Sequence, residues 1–106
     1  MSNVFMRIIL FFDLPSVTKK DIREYTKFVK LLKKIGFVRM QESVFTKLAL
    51  NQSNVNSTMI ELKKNLPMDG IVSVLTLTEV QFSSIEHLIG EIKTDVITSE
   101  EKVIRL

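Results

Sequence analysis

From Val4 to Phe12 the chain is apolar at eight of nine positions, broken only by Arg7. Such a run reads as a strand inside a sheet. It ends at Asp13, because Pro15 two residues on cannot donate to a ladder. Thr18-Lys-Lys-Asp21 follows, a capping-box start with Asp in the place of the usual Glu or Gln, and it predicts a helix running to about Ile35 and stopping at Gly36. Ile22, Tyr25, Val29, Leu32 and Ile35 follow helical spacing on one side of it, with Phe28 and Leu31 beside them. The pattern then predicts a short strand over 37–40, a break at Gln41-Glu42, a strand over 43–50, and a second helix from an Asn51 cap to about Leu66. The apolar positions of that helix are Val55, Met59, Ile60 and Leu62, and Pro67 stops it. A β-branched strand covers 70–78, and Thr78 or Glu79 opens a short helical turn through Phe82. The stretch 85–89 fits either helix or strand, and 103–106 reads as a final strand.

Strand, helix, strand, strand, helix, strand is the split βαβ order, so the fold class is α+β, ferredoxin-like βαββαβ with a short C-terminal strand. The 106 residues form one domain, with 79–106 as a C-terminal extension available to partners. In the first strand, Val4, Met6, Ile8, Leu10 and Phe12 point one way; Phe5, Arg7, Ile9, Phe11 and Asp13 point the other. Both sets are apolar, but two helices cover only one face of the sheet. An uncovered apolar face of that size calls for a partner, and a second copy of the same sheet is the simplest one. The pattern therefore predicts a homodimer, packed sheet to sheet through Phe5, Arg7, Ile9 and Phe11, with Asp13 on the same face.

Composition narrows the chemistry. There is no Cys, hence no disulfide framework and no thiolate metal site, which suits a reducing cytosol. The apolar N-terminal run falls short of the about 20 residues that span a bilayer and is read as structure rather than an address, so no membrane partner is expected. Walker, GxGxxG, HExxH and GxSxG motifs are missing, and no Ser has a His-acid partner in the pattern. The sole His, His87, lies among apolar residues and reads as a packed or rim residue.

Two features remain. Asp13 caps a turn, or it serves as a metal ligand. One carboxylate cannot hold Mg²⁺ tightly, but a two-fold axis near the sheet would bring in Asp13 from both copies. The net charge of +3 is modest, yet Lys20, Arg23, Lys27, Lys30 and Lys34 step by three and four along one side of the first helix, behind Lys19 at its start. This is an ordinary solvated face or a track for a phosphate backbone; nothing in it suggests base reading. The aromatic-rich motif of an RNA-recognition module is not present.

Arg7-Ile-Ile-Leu-Phe-Phe-Asp13-Leu-Pro15, Tyr25-Thr-Lys-Phe28, Leu31-Leu-Lys-Lys-Ile-Gly36-Phe37, Met40-Gln-Glu-Ser-Val-Phe45 and the run from Gly70 to Glu79 with Gln81-Phe82 resemble the CRISPR-associated protein 2 family, in wording nearest to members from type II loci. The resemblance spans nearly the whole chain. It implies a ferredoxin-like homodimer in the prokaryotic cytoplasm that bridges two dimers of the CRISPR integrase subunit in a heterohexamer and holds double-stranded spacer DNA for insertion into the array. It also implies a metal-dependent endonuclease activity on RNA or DNA, with Asp13 as the proposed Mg²⁺ ligand and catalytic residue. Some members place arginines against DNA near the end of the fourth strand, where this chain has Thr78-Glu79-Val80. The better candidates for nucleic-acid contact are therefore Lys19, Lys20, Arg23, Lys27 and Lys30, with Lys47, Lys63 and Lys64 as the fallback. A scaffold without catalysis is favoured over a nuclease, because the sequence offers no second acid or base beside Asp13. An RNA-binding regulator or RNase without an integration role is the remaining alternative.

Overall fold

A computed structural model describes residues 5–90. Four strands and three helices follow in the order β1 (Met6–Asp13), α1 (Lys19–Lys34), β2 (Val38–Gln41), β3 (Val44–Ala49), α2 (Gln52–Lys64), β4 (Ile71–Thr78) and α3 (Glu79–Ser83). The sheet is antiparallel in the order β2-β3-β1-β4. This is the predicted ferredoxin-like arrangement, and most strand ends fall within one residue of those read from the pattern. The proposed final strand at 103–106 lies outside the described residues. The ambiguous stretch 85–89 forms neither helix nor strand.

Alternation in β1 decides what each sheet face does. Ile8, Leu10 and Phe12 turn under the helices and are buried, beside Phe45 and Ala49 of β3. Phe28 and Leu32 of α1 and Val55 and Leu62 of α2 close the core from above. Phe12 lies at its centre, edge-on to Tyr25 and Phe28 and stacked on Phe45, with ring centroids 5.8–6.0 Å apart. Each such aromatic pair contributes about 1 kcal/mol beyond its buried area.

Helical spacing located each core face but misassigned two of its members. Ile22 and Ile60 are exposed, and Thr58 takes the buried place on α2. Thr58 can be buried because its hydroxyl donates to the Asn54 carbonyl at 2.9 Å and accepts from Lys47 Nζ at 3.0 Å. The bend expected at Gln41-Glu42 is a register shift between Arg39 and Gln41 followed by a turn at Glu42-Ser43.

The helix starts are those the sequence announces. Asn51 accepts from the Asn54 amide at 2.8 Å. Thr18 accepts from the Asp21 amide at 3.0 Å, while the Asp21 carboxylate accepts from the amides of Thr18 at 3.0 Å and Val17 at 3.2 Å. The Thr18 amide bond is the main reason that Asp21 titrates below its ordinary value. A carboxylate whose pKa is lowered by folding stabilises fully above its unfolded value and loses that contribution as pH falls through the folded one. Asp21→Ala is therefore expected to lower the melting temperature at pH 7, and the gap from the parent protein is expected to begin narrowing only below about pH 4 and to close once the pH is below the lowered folded value. Thermal melts at both pH values check this; an equal gap at each would contradict it.

Candidate nucleic-acid and metal site

Asp13 is the last residue of β1, opposite Ile71 at the start of β4, and it is exposed on the face of the sheet away from the helices. The strand end is fixed on its other side by the Phe12 amide, which donates to the Ser43 carbonyl at 3.1 Å. Among the described residues no three His, Cys, Asp or Glu side chains come together as a metal-ligating group. His87 joins none, and its Nε2 is buried without a hydrogen-bond partner among those residues. Among the described residues, Asp13 therefore belongs to no ready-made set of three ligands. Mg²⁺ commonly takes one or two carboxylates and completes its shell with water and phosphate oxygens. Among the described residues, Asp13 fits that ion as one carboxylate ligand of such a shell.

Shortly after Asp13, α1 begins, so Lys19 and Lys20 stand at the same end of the domain as the carboxylate. At about 100° per residue, Lys20, Arg23, Lys27, Lys30 and Lys34 fall within an arc of about 80°, and Lys19 widens it to about 100°. All six are exposed, on the side of the helix away from buried Phe28 and Leu32. None is in an ion pair among the described residues, where only Arg7 and Glu79 form one. An unpaired row of cations on a packed helix is free to neutralise an external anion. Its boundary is set by the shallow groove between α1 and the loop after α2, where Asp21, Glu24 and Asp69 outnumber Lys20. Three carboxylates against one ammonium make that groove unfavourable to an anion.

The fallback track does not hold together. Lys47 points into the helix side of the sheet and gives its ammonium to Thr58, leaving Lys63 and Lys64 exposed on α2. Arg39, on β2, is likewise occupied: it donates to Tyr25 Oη at 3.1 Å and lies over the Phe45 ring, 5.0 Å from its centroid.

The second sheet face has the composition read from β1. Phe5, Phe11, Leu48, Ile71 and Leu75 are 47, 44, 41, 64 and 54% exposed, although each belongs to the sheet or its margin. Ile9 lies half-buried between Thr46 and Leu75. Arg7 differs from its neighbours. Its guanidinium makes two parallel bonds to Glu79, Nε to Oε1 at 2.9 Å and Nη2 to Oε2 at 2.7 Å, and sits 4.4 Å from the centre of the Phe82 ring. No local sequence signal points to this clamp, since its partners are 72 residues apart. Pairing β1 with β4 supplies it: Met6 opposes Thr78, and the Glu79 amide then donates to the Phe5 carbonyl at 3.0 Å. Glu79, the first residue of α3 directly after the fourth strand, is thus the counter-ion that pins α3 to the sheet.

The model of the family described as CRISPR associated protein Cas2 matches residues 6–85. The chain belongs to the Cas2 family. It is 44% identical over 101 residues to a protein of Treponema denticola named CRISPR-associated endoribonuclease Cas2, which covers 95% of this chain and 100% of that one. A protein of Streptococcus mutans serotype c with the same name is 40% identical over 101 residues, covering 95% and 93%. A solved structure described as a crystal structure of Cas2 superposes with a TM-score of 0.60 at 23% identity, over 89% of this chain and 97% of that one. At that identity the superposition speaks to the Cas2 fold alone. No helix among the described residues is long and apolar enough to cross a membrane.

Proposed function

We propose that this chain is the scaffold subunit of CRISPR spacer acquisition: a homodimer, packed sheet to sheet, that bridges two integrase dimers in the cytoplasm and holds double-stranded spacer DNA by its phosphates. The observation that carries the reading is the row of six exposed cations on α1, none of them paired with a carboxylate among the described residues. Phosphate contacts position a duplex without reading its sequence, and an adaptation subunit must accept fragments of any sequence. Because α1 lies on the side of the sheet opposite the apolar face, a sheet-to-sheet dimer presents one cationic row on each outer surface. The apolar second face supports the dimer, and membership of the Cas2 family supports the CRISPR assignment.

In the dimer each Asp13 would approach the two-fold axis on the interface side, where the pair would hold Mg²⁺ with phosphate oxygens as further ligands. The metal would supply polarisation of a phosphodiester and of a water. Beyond the carboxylate pair, the protein's part is to orient the backbone along α1. The relatives' name, endoribonuclease, makes RNA cleavage the second reading, and the exposed strand-end Asp13 is the observation that favours it. Residues 79–106 are the proposed partner-contacting extension, and its first residue, Glu79, is held to β1 by Arg7.

Mixing the protein with its integrase subunit and measuring the mass by light scattering tests the proposal. The expected complex holds two integrase dimers and one dimer of this chain. Two unassociated species at micromolar concentration would remove the bridging role.

A further inference from the structure

The main chain at the end of β1 lies close against a residue with no side chain. Gly70 precedes β4 with φ +98°, a backbone conformation that side-chain-bearing residues rarely adopt. A β-carbon at position 70 would come within 2.7 Å of the Asp13 carbonyl oxygen, 2.7 Å of Leu14 Cδ2 and 3.1 Å of Leu14 Cα. Two of these three atoms are main chain and cannot step aside by a rotamer change. Asp13 is also the last residue of the β1–β4 ladder, opposite Ile71, so β4 begins its pairing at the residue that carries the carboxylate.

We propose that Gly70 is a positioning residue for Asp13: the missing β-carbon lets the start of β4 close against the Asp13 main chain and so fixes where the carboxylate stands relative to its two-fold mate. This rests on the reading of Asp13 as half of a divalent-metal site. Any side chain at position 70 pushes on the peptide that bears the ligand, and a site assembled from two copies receives that displacement twice. Metal sites lose about 10–100-fold in affinity when the residues supporting a ligand are disturbed.

Gly36 provides the matched control. Its φ is +107°, so an alanine there carries a comparable backbone strain, but its β-carbon would meet only the flexible stem of Lys47, Cε at 3.3 Å. The test measures Mn²⁺ binding to the dimer by electron paramagnetic resonance in Gly70→Ala, Gly36→Ala and Asp13→Asn, without nucleic acid. Gly70→Asn serves as the second variant at the same place, since Asn tolerates positive φ better than Ala while still carrying the β-carbon. Expected are Mn²⁺ affinities lowered about 10–100-fold in both position-70 variants, unchanged in Gly36→Ala and lost in Asp13→Asn. Position-70 variants that bind as the parent does, while Asp13→Asn does not, overturn the role of Gly70 and leave that of Asp13 standing. An equal loss in Gly36→Ala overturns it too, as a general effect of strain. Undiminished binding in Asp13→Asn removes the metal reading of Asp13 and the inference with it.

Discussion

Phe11→Glu is expected to convert a dimer into a folded monomer at micromolar concentration. Phe11 lies on the second face of β1, between Val44 and Ser73, and 44% of it is exposed in the protomer. Replacing it therefore disturbs little of the core formed by Ile8, Leu10 and Phe12. In a sheet-to-sheet dimer the two-fold axis brings the new carboxylate in twice. An uncompensated buried charge costs about 3–5 kcal/mol, which is more than about a hundredfold in the dissociation constant for each copy. Ile9→Glu is expected to act the same way but with some loss of stability, because Ile9 is already half-buried within the protomer. Light scattering with a thermal melt alongside separates the two effects. A Phe11→Glu variant that remains dimeric would move the interface to another surface.

Reversing Lys20, Arg23 and Lys27 to Glu is expected to weaken duplex DNA binding across all sequences alike. The three side chains lie on one flank of α1 without carboxylate partners among the described residues, so their charge is not neutralised within the fold. Removing one phosphate interaction flattens the slope of log affinity against log salt by about 0.9 on B-DNA, so the slope of the triple variant is expected to fall by about 2.7 if all three side chains reach phosphates. Salt titrations on two unrelated duplexes check both parts. An unchanged slope would transfer the track away from α1, and a weakening confined to one sequence would imply base reading.

What the sequence disclosed, and what it withheld, follows from the range of the interactions. Caps act over three or four residues, so Thr18 and Asn51 announced their helices correctly, and of the two starts open for the third helix, Thr78 and Glu79, the cap is Thr78. Strand alternation in β1 identified both sheet faces, because side-chain direction in a strand needs no tertiary information. The cationic row on α1 was equally visible, since a helix face is fixed by spacing alone. Burial is less local. Periodicity ranks Ile60 above Thr58, and only the neighbouring Lys47 and the Asn54 carbonyl reverse the order. The Arg7–Glu79 clamp requires β1 and β4 to be paired before it can be seen, and the approach of Gly70 to Asp13 requires the same pairing at the opposite end. The metal reading of Asp13 lies a level further out, since among the described residues no set of three ligands forms, and the proposal draws the rest from a second copy, water and nucleic acid.

Asp13 separates scaffold from catalyst. Asn at this position keeps the shape of the side chain and removes its charge, so the fold, the dimer and the α1 track are expected to persist. One carboxylate per protomer is a narrow basis for efficient hydrolysis, yet sufficient for an Mg²⁺ ion that draws its other ligands from phosphates. The decisive measurement is spacer acquisition in cells carrying Asp13→Asn, with metal-dependent cleavage by the purified variant assayed in parallel. Acquisition at the parent level with cleavage abolished is the result expected of a scaffold. Acquisition abolished in a variant that still dimerises and still binds the integrase would contradict it and make the carboxylate part of the integration chemistry.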